Sequence, residues 1–305
     1  MEKVLAPIIL FVYNRPKHTK KTLEALEKSI DASDSDIYIY SDGAKNADGI
    51  DSVNRVRAII REPWNFKSIH IIERSKNVGL ANNIIKGVTE VIEKHGKAIV
   101  LEDDLEVSKF ALQYFNDALV CYEEDEQVME ISGYMYPVAH ADNLPEAFFF
   151  RVANSWGWAT WARAWKHFNA DIDELTNNFS KEHIKRFSID HTENFWKQVK
   201  LYKSGKINSW AIRWYLSIFN KNGLVLYPRT SMIQNMGTDG SGTHSDVDEI
   251  YKVTLATQKV NNFPKEIEEH NAAYEAIKYF YKNRKGSFVK RVARYIRKHW
   301  DKRKK

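Results

Sequence analysis

Cysteine is nearly missing from this chain. Cys121 stands alone among 305 residues, which excludes an internal disulfide and a cysteine-rich zinc site. Such cysteine usage favours an intracellular protein, with Cys121 expected on the buried face of a helix. No apolar run approaches the roughly 18–20 residues that cross a bilayer. The apolar stretch PIILFVY at 7–13 is followed by Asn14-Arg15-Pro16 without a small-residue cleavage site, and reads as a buried first strand rather than a signal peptide. Gly-rich phosphate loops are absent too. There is no GxGxxG after the first strand and no GxxxxGK[ST], so the usual apparatus of dinucleotide and P-loop sites is missing.

Acidic charge is scarce at one end only. Residues 282–305 carry twelve Lys/Arg against Asp301 alone, a net +11 that leaves −5 on the preceding 281 residues of a +6 chain. A mildly acidic body with a basic tail suits a tail reaching an anionic surface, membrane or nucleic acid, better than a wholly basic binding domain. Of the two, a membrane surface is the expected partner, and no nucleic acid is expected. In the tail, Phe288, Val292, Ile296 and Trp300 recur every fourth residue, the pattern of an interfacial helix on anionic lipid. A docked C-terminal helix with a solubilising end gives the same pattern.

What is present is a full core, with 43% hydrophobic residues. Strand-like runs at 7–13, 36–41, 68–73 and 98–101 alternate with helical spacings at 17–30, 52–61 and 77–96. That alternation predicts an α/β protein with a mostly parallel sheet covered by helices. Further on, helices are expected at 108–124, 180–187, 191–203, 210–220 and 265–281, with strands at 128–134, 147–152 and 224–227. The 128–134 run suits an ordinary or an edge strand. Trp158, Trp161 and Trp165 stand at helix-compatible spacing, and the tryptophans from 156 onward divide between core and an aromatic wall for a flat sugar face. Domain organisation is expected as 1–262, split into a nucleotide-binding half at 1–106 and an acceptor-side half at 107–262, followed by C-terminal helices at 263–305.

The chemistry converges on KAIVLEDDLE at 97–106. Glu102, Asp103 and Asp104 end a strand, and three adjacent carboxylates repel one another unless a cation intervenes. Hard cations such as Mg²⁺ or Mn²⁺ prefer carboxylate oxygens, and strand carboxyl ends are where α/β sheets bind ligands. An exposed acidic turn is the plain alternative. Arg15 follows the first strand and can neutralise phosphate, and Asp42 follows the second and can accept from a base or ribose. Asn77 and Gly79 allow a close backbone approach before a helix N-terminus. Asp42-Gly43 as a turn and Asn77 as a cap are the simpler readings. Residues 235–246, NMGTDGSGTHSD, hold three glycines and few apolar anchors, as a loop that closes over a ligand would. His244 and Asp239 are its reactive members.

The ordered set ILFVYNRP, YSDG, SKNVGLANNIIKG, VLEDDLE, SWGWATWARAW and LYPRTSMIQNMGTDGSGTH, spanning about 7–250, resembles bacterial sugar transferases of the GT-A fold. These lie close to the superfamily of the N-glycan N-acetylglucosaminyltransferase I. The resemblance implies transfer from a nucleotide-sugar, usually a UDP-sugar, with inversion, to a glycan or lipid-linked acceptor in surface polysaccharide or lipopolysaccharide synthesis. It implies a cytoplasmic enzyme, peripheral on the inner membrane face if the tail at 284–305 binds lipid. Arg15 and Asp42 resemble nucleotide contacts, and Asn77 to Leu80 the segment along the nucleoside. Glu102, Asp103 and Asp104 resemble the carboxylate triplet whose last member holds Mn²⁺ or Mg²⁺ on the diphosphate. Trp156, Gly157 and Trp158 resemble the sugar and acceptor wall, and 235–246 the loop that orders over the donor. One departure stands out: Ala211 follows Trp210 where the eukaryotic relative has its base aspartate. The base is therefore sought at Asp239, with Asp246, Asp171 and Asp173 as alternatives, and His244 is expected as a metal or diphosphate ligand. The competing readings are a metal-dependent sugar-phosphate nucleotidyltransferase and a non-catalytic carbohydrate or lipid-surface binding protein.

Overall fold

The computed structural model describes residues 4–237 and 249–284. Its first half is β1 (Ile8–Val12), α1 (Pro16–Glu27), β2 (Asp36–Ser41), α2 (Ile50–Ile60), β3 (Ser68–Glu73), α3 (Leu80–His95) and β4 (Lys97–Glu102). There follow β5 (Leu105–Val107), α4 (Ala111–Cys121), β6 (Val128–Ser132), β7 (Ala147–Phe150), β8 (Trp158–Trp161) and α5 (Ala162–Trp165). The remainder is α6 (Ile172–Thr176), α7 (Lys181–Phe187), α8 (Phe195–Lys203), α9 (Trp210–Asn220), β9 (Leu224–Pro228), β10 (Ile233–Asn235) and α10 (Asn271–Asn283).

Eight strands form one sheet in the order β3-β2-β1-β4-β8-β6-β9-β7, and β5 pairs with β10 in a separate two-stranded ribbon. β3, β2, β1 and β4 run parallel, β8 opposes both its neighbours, and β7 opposes β9. With β6 and β9 parallel to each other, six of the eight strands point one way. The fold is therefore the expected α/β class, a mostly parallel sheet flanked by helices. β1 and β4 are buried on both faces, which is why they read as unbroken apolar runs. Strand order reverses after β3: the chain moves outward through β1, β2 and β3, then returns to place β4 beside β1. Right-handed crossovers put α3 on the face opposite α1 and α2, and the carboxyl ends of β1 and β4 then flank a crevice.

Three local expectations change. The tryptophan run is not one helix: Trp158 and Trp161 lie in β8, hydrogen-bonded between β4 and β6, and only Ala162–Trp165 is helical. Positions three apart in a strand face opposite ways. Trp158 accordingly stacks on Trp210 of α9 at 5.2 Å, while the Trp161 indole donates to Leu119 O of α4 at 3.0 Å. Cys121 is exposed, because the inward positions at this end of α4 go to Leu119 and, just past its last turn, Tyr122. α10 begins at Asn271, not near 265, where the His270 side chain accepts from Ala273 N at 3.2 Å and caps it. β6 proves to be an interior strand, and β7 takes the edge. Among the described residues no helix is long and apolar enough to cross a membrane.

Candidate active site

The acidic turn sits where the topology reverses. Register pairs Phe11 with Glu102, so Asp103 and Asp104 lie beside the Tyr13–Arg15 segment that leaves β1. Asp103 turns inward and is buried; its Oδ2 accepts from Tyr13 N at 3.1 Å, and its carbonyl accepts from Thr22 Oγ1 of α1 at 2.9 Å. Asp104 faces the crevice, where its Oδ2 pairs with Arg15 Nη1 at 2.7 Å. Burial, then Asp104, drives the Asp103 carboxyl up to about 7, against the Tyr13 N–H and the Arg15 charge. Burial followed by Asp104 and Asp103 pushes Glu102 well above the usual carboxylate range. One guanidinium thus serves three carboxylates, and the deficit is met by holding protons or by a cation.

The second ribbon brings another segment onto this turn. Asn235 pairs with Leu105 across β10 and β5, and Met236 N donates to Asp104 O at 2.7 Å. Gly237 then passes so close that an added Cβ would lie 2.1 Å from Asp104 Oδ2 and 3.0 Å from Arg15 Nη1. Any larger residue there would displace the Asp104 carboxylate and the Arg15 guanidinium from where they stand. The first residues of the 235–246 stretch therefore lie on the acidic turn. Asp239, His244 and Asp246 lie outside the described residues, as does the rest of that stretch.

Asp42 is buried and spends its carboxylate on its own neighbourhood. Oδ1 accepts from Gly43 N and Val78 N, each at 2.9 Å, and Oδ2 from Gly79 N at 3.0 Å and Asn77 Nδ2 at 3.1 Å. Four donors fill the acceptor capacity of a carboxylate. Asn77 also donates to Gly43 O at 2.8 Å, and a Cβ at Gly43 would meet Lys76 C at 2.5 Å. The side chain expected to touch a base instead clamps the β2 loop to the residues before α3. Gly79, at φ +79°, opens that helix, and Leu80 beside it is 54% exposed. This clamp leaves an apolar side chain and a helix N-terminus, not a carboxylate, facing outward.

On the other flank, Val100 pairs with Trp158, which carries Gly157 and Trp156 past the end of β4 beside Leu101 and the acidic turn. Trp156 stands at the rim of a cavity of about 330 Å³. Tyr134 and Tyr251 meet its ring edge-on, at 4.7 and 5.6 Å. Trp158 is not part of an exposed wall: it is 1% exposed and packed among Trp165, Trp210 and Trp214. Ala211 lines the cavity, and so do Glu193 and Arg284, which pair with each other. Asp171 and Asp173 serve α6 instead: Asp171 caps it, accepting from Asp173 N and Glu174 N, and Asp173 pairs with Lys203 at 2.7 Å. Both are exposed.

Two groups, the buried Glu130 and the half-buried Arg284, escaped the sequence reading. Glu130, in the middle of β6, accepts from Asn154 N at 2.8 Å and Trp214 Nε1 at 2.7 Å, and burial raises its carboxyl to about 8. A lone acid inside VMEIS was a signal for it. Arg284, at the end of α10, gave none, because only the fold brings it to Glu193 and Tyr251.

A cation fits this crevice in a limited way. Among the described residues no three His, Cys, Asp or Glu side chains converge in metal-binding geometry. Asp104 alone of the triplet both faces the crevice and lies under the Gly237 cradle. Mg²⁺ and its like are commonly held by one or two carboxylates with phosphate and water completing the shell. No family model matches the chain, and no curated protein is similar to it. Among solved structures it is similar to the mannosyltransferase PcManGT from Pyrobaculum calidifontis in complex with GDP-Man and Mn²⁺. That likeness, 11% identity over 72% of this chain and 76% of the other with a TM-score of 0.39, is too distant to carry chemistry across.

Proposed function

We propose that this chain is a metal-dependent glycosyltransferase. In this reading it moves a sugar from a nucleotide-sugar, a UDP-sugar by the motif resemblance, to a glycan or lipid-linked acceptor, with inversion, in surface polysaccharide synthesis. One observation carries the proposal: Asp104 lies at the reversal point of the sheet, joined to Arg15 and overlaid by Gly237. A phosphate ligand suits this place, because Arg15 offers positive charge and the α3 N-terminus offers backbone N–H groups.

Transfer forms a bond from the acceptor oxygen to the anomeric carbon and breaks the bond from that carbon to the diphosphate oxygen, which leaves with the electron pair. A base takes the acceptor proton. Asp104 would hold Mn²⁺ or Mg²⁺, with Glu102 and Asp103 adding negative potential behind it. When bound, the metal stabilises charge on the departing diphosphate as a Lewis acid. Arg15, which stands beside Asp104, would add positive charge to the same oxygens. Asn77, Gly79 and Leu80 shape the nucleoside side, where Asp42 acts by holding the two loops together. Trp156 borders the sugar. Asp239 is the proposed base and His244 the proposed diphosphate or metal ligand from the loop that begins at Gly237.

The experiment is product analysis with labelled UDP- and GDP-sugars and labelled nucleoside triphosphates, with and without Mn²⁺. Metal-dependent release of nucleoside diphosphate supports the transferase. Pyrophosphate release would mean a nucleotidyltransferase. Binding without turnover would favour the non-catalytic reading, for which Ala211 in the cavity wall is the specific observation.

A further inference from the structure

We infer that the cavity bounded by Trp156 and Arg284 binds a neutral pyranose ring of the acceptor, an inference that rests on the transferase reading. At about 330 Å³ it lies at the low end of small-molecule pockets, which run from roughly 300 to 1,000 Å³. A monosaccharide unit suits that volume better than an extended chain.

The wall chemistry selects the class. Its aromatic lining combines the half-buried Trp156 and Tyr251 with Tyr134 and Trp210, which are buried behind them. Trp156 meets both tyrosines at steep angles, 77° and 85°. Such walls make a corner rather than the parallel slot that clamps a planar base, and a puckered ring with C–H groups on its faces fits a corner. The polar groups also point to hydroxyls. Trp64, Trp161, Trp165 and Trp214 each donate their indole N–H to a protein acceptor. Among the described residues Trp156, Trp158, Trp196 and Trp210 do not; of these, Trp156 and Trp210 line the cavity, as does Gln198, whose amide has no hydrogen-bond partner. Hydrocarbon from a lipid tail would leave these donors unmet. Glu193 and Arg284 neutralise each other, so the cavity offers no net charge to an acidic or amino sugar.

The position joins the cavity to the chemistry. Trp156 lies two residues before Trp158, whose pairing with Val100 sets the entry to β8 at the same end of the sheet as Glu102, Asp103 and Asp104. A ring seated in the cavity is thus at the end of the sheet where the acidic turn lies.

The test titrates the full chain, without metal or nucleotide, with methyl glycosides of glucose, galactose, mannose and N-acetylglucosamine. Methyl glucuronide and uridine are the charged and planar comparisons. Tryptophan fluorescence and saturation-transfer NMR report binding. At least one neutral glycoside should bind saturably, and Gln198→Ala and Trp210→Phe should each weaken it roughly two- to tenfold, as loss of one hydrogen bond does. Phe at 210 keeps the stacking on Trp158 and Gln198 has no partner to lose, so both variants retain the fold. No saturable glycoside binding at millimolar concentration, unchanged affinity in both variants, or preference for glucuronide or uridine overturns the inference. Donor turnover by the wild type is measured alongside. Nucleotide release without glycoside binding overturns this inference alone. Glycoside binding without any release overturns the transferase reading and the acceptor role with it.

Discussion

Glu130→Gln probes a buried acid whose behaviour can be worked out in advance. Glu130 is 0% exposed and accepts two hydrogen bonds, and among the described residues no cation offsets its burial, which lifts its carboxyl from the ordinary 4.5 to about 8. The folded-state value is the higher one, so the sign is fixed. Below pH 4.5 both states hold the proton and nothing is lost; from 4.5 to 8 the unfolded chain releases it while the folded chain keeps it. Stability falls through that window and levels off above 8. At about 1.4 kcal/mol per unit, the full loss is on the order of 5 kcal/mol. Gln cannot titrate, but it has one acceptor oxygen for the N–H groups of Asn154 and Trp214, which costs about 1–3 kcal/mol. The variant should therefore be less stable than wild type at pH 5 and more stable at pH 9. Urea unfolding followed by tryptophan fluorescence at both pH values measures the two differences. Equal differences at pH 5 and pH 9 would refute the reasoning, since other groups titrate alike in both proteins.

Asp42→Ala should destabilise the fold by about 2–4 kcal/mol, because three backbone N–H groups and the Asn77 amide lose their acceptor; a variant within 0.5 kcal/mol of wild type would mean the clamp is not needed. Gly237→Ala should reduce donor turnover at least tenfold with little change in melting temperature, since its methyl would collide with Asp104 and Arg15 rather than with core; unimpaired turnover would show that the segment swings away from Asp104. Deleting 285–305 should weaken partitioning onto phosphatidylserine vesicles at low salt, while transfer to a soluble acceptor persists, because the deletion leaves the Arg284–Glu193 pair in place. Equal partitioning of both proteins would count against a membrane role for the tail.

The first half of the sheet was legible because β1, β2 and β4 are buried on both faces and so appear as apolar runs between helical periods. The acidic turn was legible for a related reason: three carboxylates closing such a run demand an explanation. Tryptophans misled, because spacing three apart fits a helix and equally fits opposite faces of a strand, and only pairing with β4 and β6 decides between them. Asp42 was recognisable as special, but three of its four donors come from a loop more than thirty residues away along the chain. The β5–β10 pairing joins segments over a hundred residues apart and carries no local signal. The cavity was illegible for the same reason, with walls drawn from residues 134 to 284.

The most direct test of the account is calorimetric titration of UDP, with and without Mn²⁺, into wild type and Asp104→Asn. Asn keeps the shape and removes the charge, so the fold should survive while Arg15 loses its ionic partner. Wild type should bind UDP at least tenfold more tightly with Mn²⁺ than without it, and the variant should lose that gain. Full Mn²⁺ enhancement in the variant, or none in the wild type, would contradict the claim that Asp104 anchors a metal–diphosphate site.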